Sequence, residues 1–140
     1  MKITIIDGQG GKMGKSVIEQ LKKQFPQQKL LALGTNGIAT AAMLKAGADQ
    51  GATGENPVLV ACRDSDIIIG PIGIVMADAL LGEITEAMAV AIGRSPAYKI
   101  LMPVNRCNNY VVGCEQLSVN EIIALTCHQV ADYLNRQTHC

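Results

Sequence analysis

A chain of 140 residues with zero formal net charge, 17% charged and 49% apolar residues suits one core and lacks the basic excess of an electrostatic nucleic-acid binder. With three tyrosines, one phenylalanine and no tryptophan, that core must be aliphatic. Asp7 and the following glycines interrupt any secretory apolar segment. The most apolar window, 67–81, is too short for a membrane span and contains Pro71 and Asp78, and the five cysteines are irregularly spaced, which argues against a disulfide framework. The expectation is a soluble cytoplasmic protein whose partners include neither nucleic acid nor membrane.

In chain order, KITIID (2–7) is a short β-branched run that reads as a buried strand. GQGGKMGK (8–15) leads into a helix whose apolar stripe is Met13, Val17, Ile18 and Leu21, ended by Pro26. KLLAL (29–33) is a second buried strand, so the opening of the chain is a βαβ unit with a right-handed crossover. GTNGIATAAMLKAGA (34–48) reads as a loop and a helix stopped at Gly47, and a short third strand is expected within 48–55. NPVLVACRDS then offers Asn56 as N-cap and Pro57 as the first helical residue.

DIIIGP (66–71) is a strongly apolar strand. A helical region is expected from about 72 to 94, broken near Gly82. YKILMPVN (98–105) reads as a further strand and NYVVGC (109–114) as a short partner to it. The last helix opens on a capping box, Ser118 with Glu121, and carries Val119, Ile122, Ile123, Thr126, Val130 and Leu134 on one face. Strands alternating with helices predict an α/β fold: a Rossmann-like, doubly wound, mostly parallel sheet in a single domain over 1–140.

The loop after the first strand carries the chemistry. A helix N-terminus exposes unpaired N–H groups and a partial positive charge, and glycines let a phosphate approach them. Gly8, Gly10 and Gly11, with Lys12 and Met13, are the candidate phosphate contacts. Gly14 would let the helix pack closely on the sheet. The alternative is a tight βα turn with no ligand. The spacing is not that of a P-loop.

The run GQGGKMGK resembles the dinucleotide loop of dihydrodipicolinate reductases, which typically reads like G-A-G-G-R-M-G-R. That resemblance implies a cofactor-binding half, since the paired-histidine motif and substrate domain of those enzymes have no counterpart here. The longer set IDGQGG, GTNGIATAAMLKAGA, GATGEN, GPIGIV, GEIT and KILMPVNRCNN resembles an uncharacterised bacterial family of short proteins, a domain of unknown function. It implies a class and no reaction.

An NAD site usually has an acidic residue at the end of the second strand to accept from ribose hydroxyls. This chain has Thr35 and Asn36 there, which either bind a ribose or phosphate as neutral groups or cap the next helix. Asp7 would repel a pyrophosphate by about 1 kcal/mol per charge pair at 4 Å in water and about 4 at an effective dielectric of 20. Either it turns away and caps the loop through an Asx-turn, or it serves chemistry by holding Mg²⁺ or a ligand hydroxyl or amine.

Ligands in open parallel sheets gather beyond the carboxyl ends of the strands. Segments 7–14, 34–37, 70–73 and 104–109 should converge there. That adds Gly70 and Pro71, whose turn suits a flat ring or sugar, and Asn105 and Arg106, the latter as an anion clamp or a surface ion pair. Cys107 is either a nucleophile or a small buried residue. Glu55 either reaches the cleft or caps the helix after it. Cys107, Cys114, Cys127 and His128 lack metal-ligand spacing, so no metal is expected.

The reading is a nucleotide- or dinucleotide-binding protein, with NAD(P) or another nucleotide as cofactor. The alternatives are a small NAD(P)-dependent oxidoreductase completed by a second subunit and a structural module with an empty loop. Self-association as a homodimer is expected, because 67–93 holds only Asp78, Glu83 and Glu86 as charged residues. The alternative is that the C-terminal helix covers this surface.

Overall fold

The computed structural model of the chain describes residues 1–104 and 109–139. Five short runs form the strands β1 (Ile3–Asp7), β2 (Leu30–Gly34), β3 (Gln50–Thr53), β4 (Ile67–Pro71) and β5 (Tyr98–Met102). They pair in parallel in the order β3-β2-β1-β4-β5. The helices between them are α1 (Lys12–Gln24), α2 (Gly37–Lys45), α3 (Glu55–Ala61), α4 (Glu86–Arg94) and α5 (Val119–Thr138), with a 3₁₀ turn at Ile72–Val75.

The two-residue period of a strand sorts the core into two layers. Ile3, Ile5, Leu30, Ala32, Ile67 and Ile69 face α1, α2 and α5, while Ile6, Leu33 and Ile68 face α3, α4 and the 3₁₀ turn. β1, β2 and β4 are largely buried on both faces because helices cover both sides. This is the doubly wound α/β architecture that the alternation of elements predicts.

Local signals hold at most helix ends. Asn36 caps α2, its side chain accepting from the Ala39 amide at 2.9 Å. Ser118 and Glu121 form the capping box of α5. At the far edge Tyr98 of β5 stacks on Tyr133 of α5, ring centroids 4.7 Å apart, and this fastens the last helix to the sheet.

Three expectations need correction. Helix α3 begins at Glu55 after Gly54, so Asn56 is not its cap and Pro57 lies in its first turn rather than opening it. The region 72–94 is helical only at its two ends. Between them Asp78 (φ 66°), Leu80 (φ 56°) and Leu81 (φ 57°) take the left-handed conformation and turn the chain repeatedly. The run 109–114 is not a strand: Tyr110 and Val112 are exposed, so it has no apolar face to bury against β5. The alternative by which the C-terminal helix covers the 72–94 surface does not hold either: α5 packs on α1 and β5, on the opposite side of the sheet from α4. No helix among the described residues is long and apolar enough to cross a membrane.

Candidate functional site

The sheet order reverses at β1. From β1 the chain moves outward through β2 to β3, then returns past β1 to β4 and β5. Connections leave β1 and β4 on opposite sides, which opens a crevice at their carboxyl ends. A cavity of about 360 Å³ occupies it. One wall is the loop from Asp7 to Met13; the other is Pro71, Ile72, Gly73, Ala79, Leu80, Val104 and Asn109.

Asp7 continues the strand face of Ile3 and Ile5, so its side chain points under the start of α1. Its Oδ1 accepts the Gly8 N–H at 2.8 Å and its Oδ2 accepts the Gly14 N–H at 2.8 Å. The carboxylate thus closes the loop and satisfies one orphan donor of the helix. Gly14 makes room for it: a Cβ there would stand 3.0 Å from the Asp7 Cβ and 2.6 Å from the Met43 sulfur. Burial pushes the Asp7 carboxyl above the usual aspartate range. The Gly14 and Gly8 amides oppose that shift, and the Glu83 charge adds to it. The bonds run to residues one and seven positions on, rather than through an Asx-turn, but the role is the capping one.

Gly11 takes φ +70° as the N-cap of α1 and donates to the Gly8 carbonyl at 2.9 Å. Its missing Cβ would lie 2.9 Å from the Ala39 Cα, so α1 and α2 meet there backbone to backbone. Among the described residues the amides of Gly10, Lys12 and Met13 have no protein acceptor, and all three residues lie in the cavity wall.

Thr35 and Asn36 are not in that wall. They meet Glu83, which arrives from the turn after β4. Glu83 Oε1 accepts the Thr35 hydroxyl at 2.6 Å, the Gln9 N–H at 2.8 Å and the Asn36 side-chain N–H at 2.9 Å. Asn36 also donates to the Gln9 carbonyl at 3.0 Å while its Oδ1 caps α2. Burial favours the neutral form of Glu83, but the bonds from Thr35, Gln9 and Asn36 outweigh it and hold the carboxyl below the ordinary glutamate range. A carboxylate therefore does stand at the end of β2, supplied from elsewhere in the chain.

Of the other candidates, Pro71 lines the cavity and Gly70 does not; a Cβ at Gly70 would lie 2.5 Å from the Ile6 carbonyl oxygen. Asn105, Arg106 and Cys107 lie outside the described residues. Glu55 accepts from the Thr85 hydroxyl at 2.6 Å, tying α3 to the cap of α4, and does not line the cleft. Cys127 is buried in the core, which pushes its thiol up to about 11, and His128 is exposed. Among the described residues no group of three or more His, Cys, Asp or Glu could hold a metal. Sequence reasoning missed Glu83 and Leu80. The available signal was that Glu83 is one of only three charged residues, with Asp78 and Glu86, in the long apolar stretch 67–93.

A family model described as a domain of unknown function, DUF3842, matches residues 2–135. The chain belongs to the DUF3842 family. The longer of the two resemblances read from the sequence was therefore to a family of this kind. No curated protein matches this DUF3842 sequence significantly. Among solved structures, the DUF3842 chain is similar to a dodecameric FMN-dependent UbiX-like decarboxylase from Escherichia coli O157:H7, at 13% identity and a TM-score of 0.46, covering 95% of this chain and 94% of that one.

Proposed function

We propose that this protein binds a nucleotide in the crevice between β1 and β4, its phosphate held by the amides of Gly10, Lys12 and Met13. The observation that carries the reading is that these three donors lack protein acceptors at a helix N-terminus in the cavity wall. Lys12 adds positive charge, and the apolar surface of Pro71, Ile72 and Leu80 suits the face of a ring. Asp7 repels the phosphate less than a free carboxylate would, because two amides already share its charge.

We infer also that the protein self-associates as a homodimer through the α3–α4 side. There Leu81 is 86% exposed, and Val60 and Val90 are exposed with it.

Gly10 is the position that tests the nucleotide site. A Cβ there meets nothing closer than the Lys12 Cγ at 3.9 Å, so Gly10→Asp alters the cavity wall without crowding the fold. A panel of mononucleotides, dinucleotides and nucleotide sugars is screened by thermal shift. A ligand present at a hundredfold its Kd stabilises by about 2.7 kcal/mol. The expected outcome is that at least one ligand stabilises the wild type and loses that effect in Gly10→Asp, whose unliganded stability stays within about 0.5 kcal/mol. A panel without any shift defeats the reading, and equal binding by Gly10→Asp defeats the location.

A further inference from the structure

Among the described residues, the cavity extends to one side of the glycine loop only. On the β2 side Glu83 reaches back 74 residues in sequence to the Gln9 amide. The closure is tight: a Cβ at Gly8 would stand 2.6 Å from the Thr35 hydroxyl oxygen, 2.8 Å from the Leu80 Cδ1 and 2.9 Å from the Glu83 Oε1. In a dinucleotide-binding βαβ unit the end of the second strand holds one ribose, against an acidic side chain of its own. Here the carboxylate comes from a different element, and three protein donors converge on one of its oxygens.

The space that remains is about 360 Å³, near the lower end of the roughly 300–1,000 Å³ found for small-molecule pockets. It has loop amides at one end and apolar side chains at the other. Resting on the nucleotide reading above, we infer that the ligand is a mononucleotide, one phosphate and one ring system, and that Glu83 is the specificity-determining residue that shuts out dinucleotides. A second nucleotide half directed over β2 must lift Glu83 off Thr35, Gln9 and Asn36. It must also bring a second phosphate charge close to that carboxylate.

The test compares each dinucleotide with its own halves by calorimetric titration of the full chain: NAD⁺ against AMP and nicotinamide mononucleotide, and FAD against FMN and AMP. Wild type is expected to bind at least one half, and the dinucleotide containing it about tenfold or more weakly than that half. Glu83→Ala is expected to close the gap. Glu83→Gln keeps the shape and one acceptor oxygen without the charge, and is expected to narrow it. Amide exchange of the unliganded protein reads the closure directly: the Gln9 amide is expected to be protected in wild type and to exchange about tenfold faster in Glu83→Ala.

Equal or tighter binding of a dinucleotide by wild type overturns the inference. So does a gap that persists in both variants, or an unprotected Gln9 amide in wild type. If none of the halves binds, the nucleotide reading falls and the size selection falls with it. Protection at Gln9 then still shows whether Glu83 closes the β2 side, so the two failures are told apart.

Discussion

At the scale of single residues, Asp7 decides the character of the loop. Its carboxylate takes two amides that a bound anion could otherwise have used, which moves the open donors to Gly10, Lys12 and Met13. Asp7→Asn keeps the shape but presents an NH₂ where one oxygen accepts, so one amide loses its partner. A net loss of about 1–2 kcal/mol is expected at neutral pH. The pH dependence has a definite sign. Because burial raises the folded-state pKa, the folded protein holds the Asp7 proton over a range where the unfolded chain has lost it. The proton-linked part of the Asp7 contribution, which adds to the hydrogen-bond part expected at neutral pH, is therefore fully present below the unfolded value and is lost as pH rises through the folded one. Urea titrations at stepped pH should show the wild-type advantage over Asp7→Asn shrinking as pH climbs out of the aspartate range; an advantage that grows instead contradicts the raised value. The position of Asp7 at the loop entrance was legible in the sequence, because strand period and glycine spacing are local. Its two donors, the Gly8 and Gly14 amides, were not, since whether the Gly14 N–H reaches the carboxylate depends on how close α1 sits to the sheet.

Among the elements, the turn from 76 to 85 departs furthest from its sequence. The residues Met76, Ala77, Asp78, Ala79, Leu80 and Leu81 contain neither glycine nor proline, and several of them favour a helix, so local propensity points the wrong way. Tertiary anchoring overrides it. Ile84 is fully buried in the layer beneath α3 and α4, and Glu83 beside it is held by Thr35, Gln9 and Asn36. With that end fixed, the chain accepts left-handed conformations at Asp78, Leu80 and Leu81, each costing about 1–2 kcal/mol. Ile84→Ala removes the anchor, and a loss of about 2–5 kcal/mol is expected in equilibrium unfolding. A loss below about 1 kcal/mol would mean that Ile84 does not hold the turn. By contrast α5 was largely legible, because its capping box and its buried residues Ile122, Ile123, Thr126 and Val130 are set by short-range spacing, although Val119, expected on the same face, is exposed.

For the whole molecule, the sequence told that strands and helices alternate but not the order in which the strands lie. That order places α5 and α4 on opposite faces and leaves Leu81, Val60 and Val90 exposed. Light scattering after size exclusion is expected to give twice the chain mass at micromolar concentration, and Leu81→Asn to shift it toward a single chain. A wild-type mass of one chain, unchanged on concentration, rules the dimer out. The strand order also bears on how the molecule is made. Of the five strands of this sheet β1 is synthesised first, yet one of its two neighbours is β4, where Ile3 pairs with Ile67. Until that partner is synthesised, one side of β1 is an unpaired edge with isoleucines at Ile3, Ile5 and Ile6, the kind of surface that seeks strands from other chains. The nascent protein thus has a window of vulnerability that closes only when β4 arrives, and the segment bearing Glu83, which latches the loop, is made only after that strand.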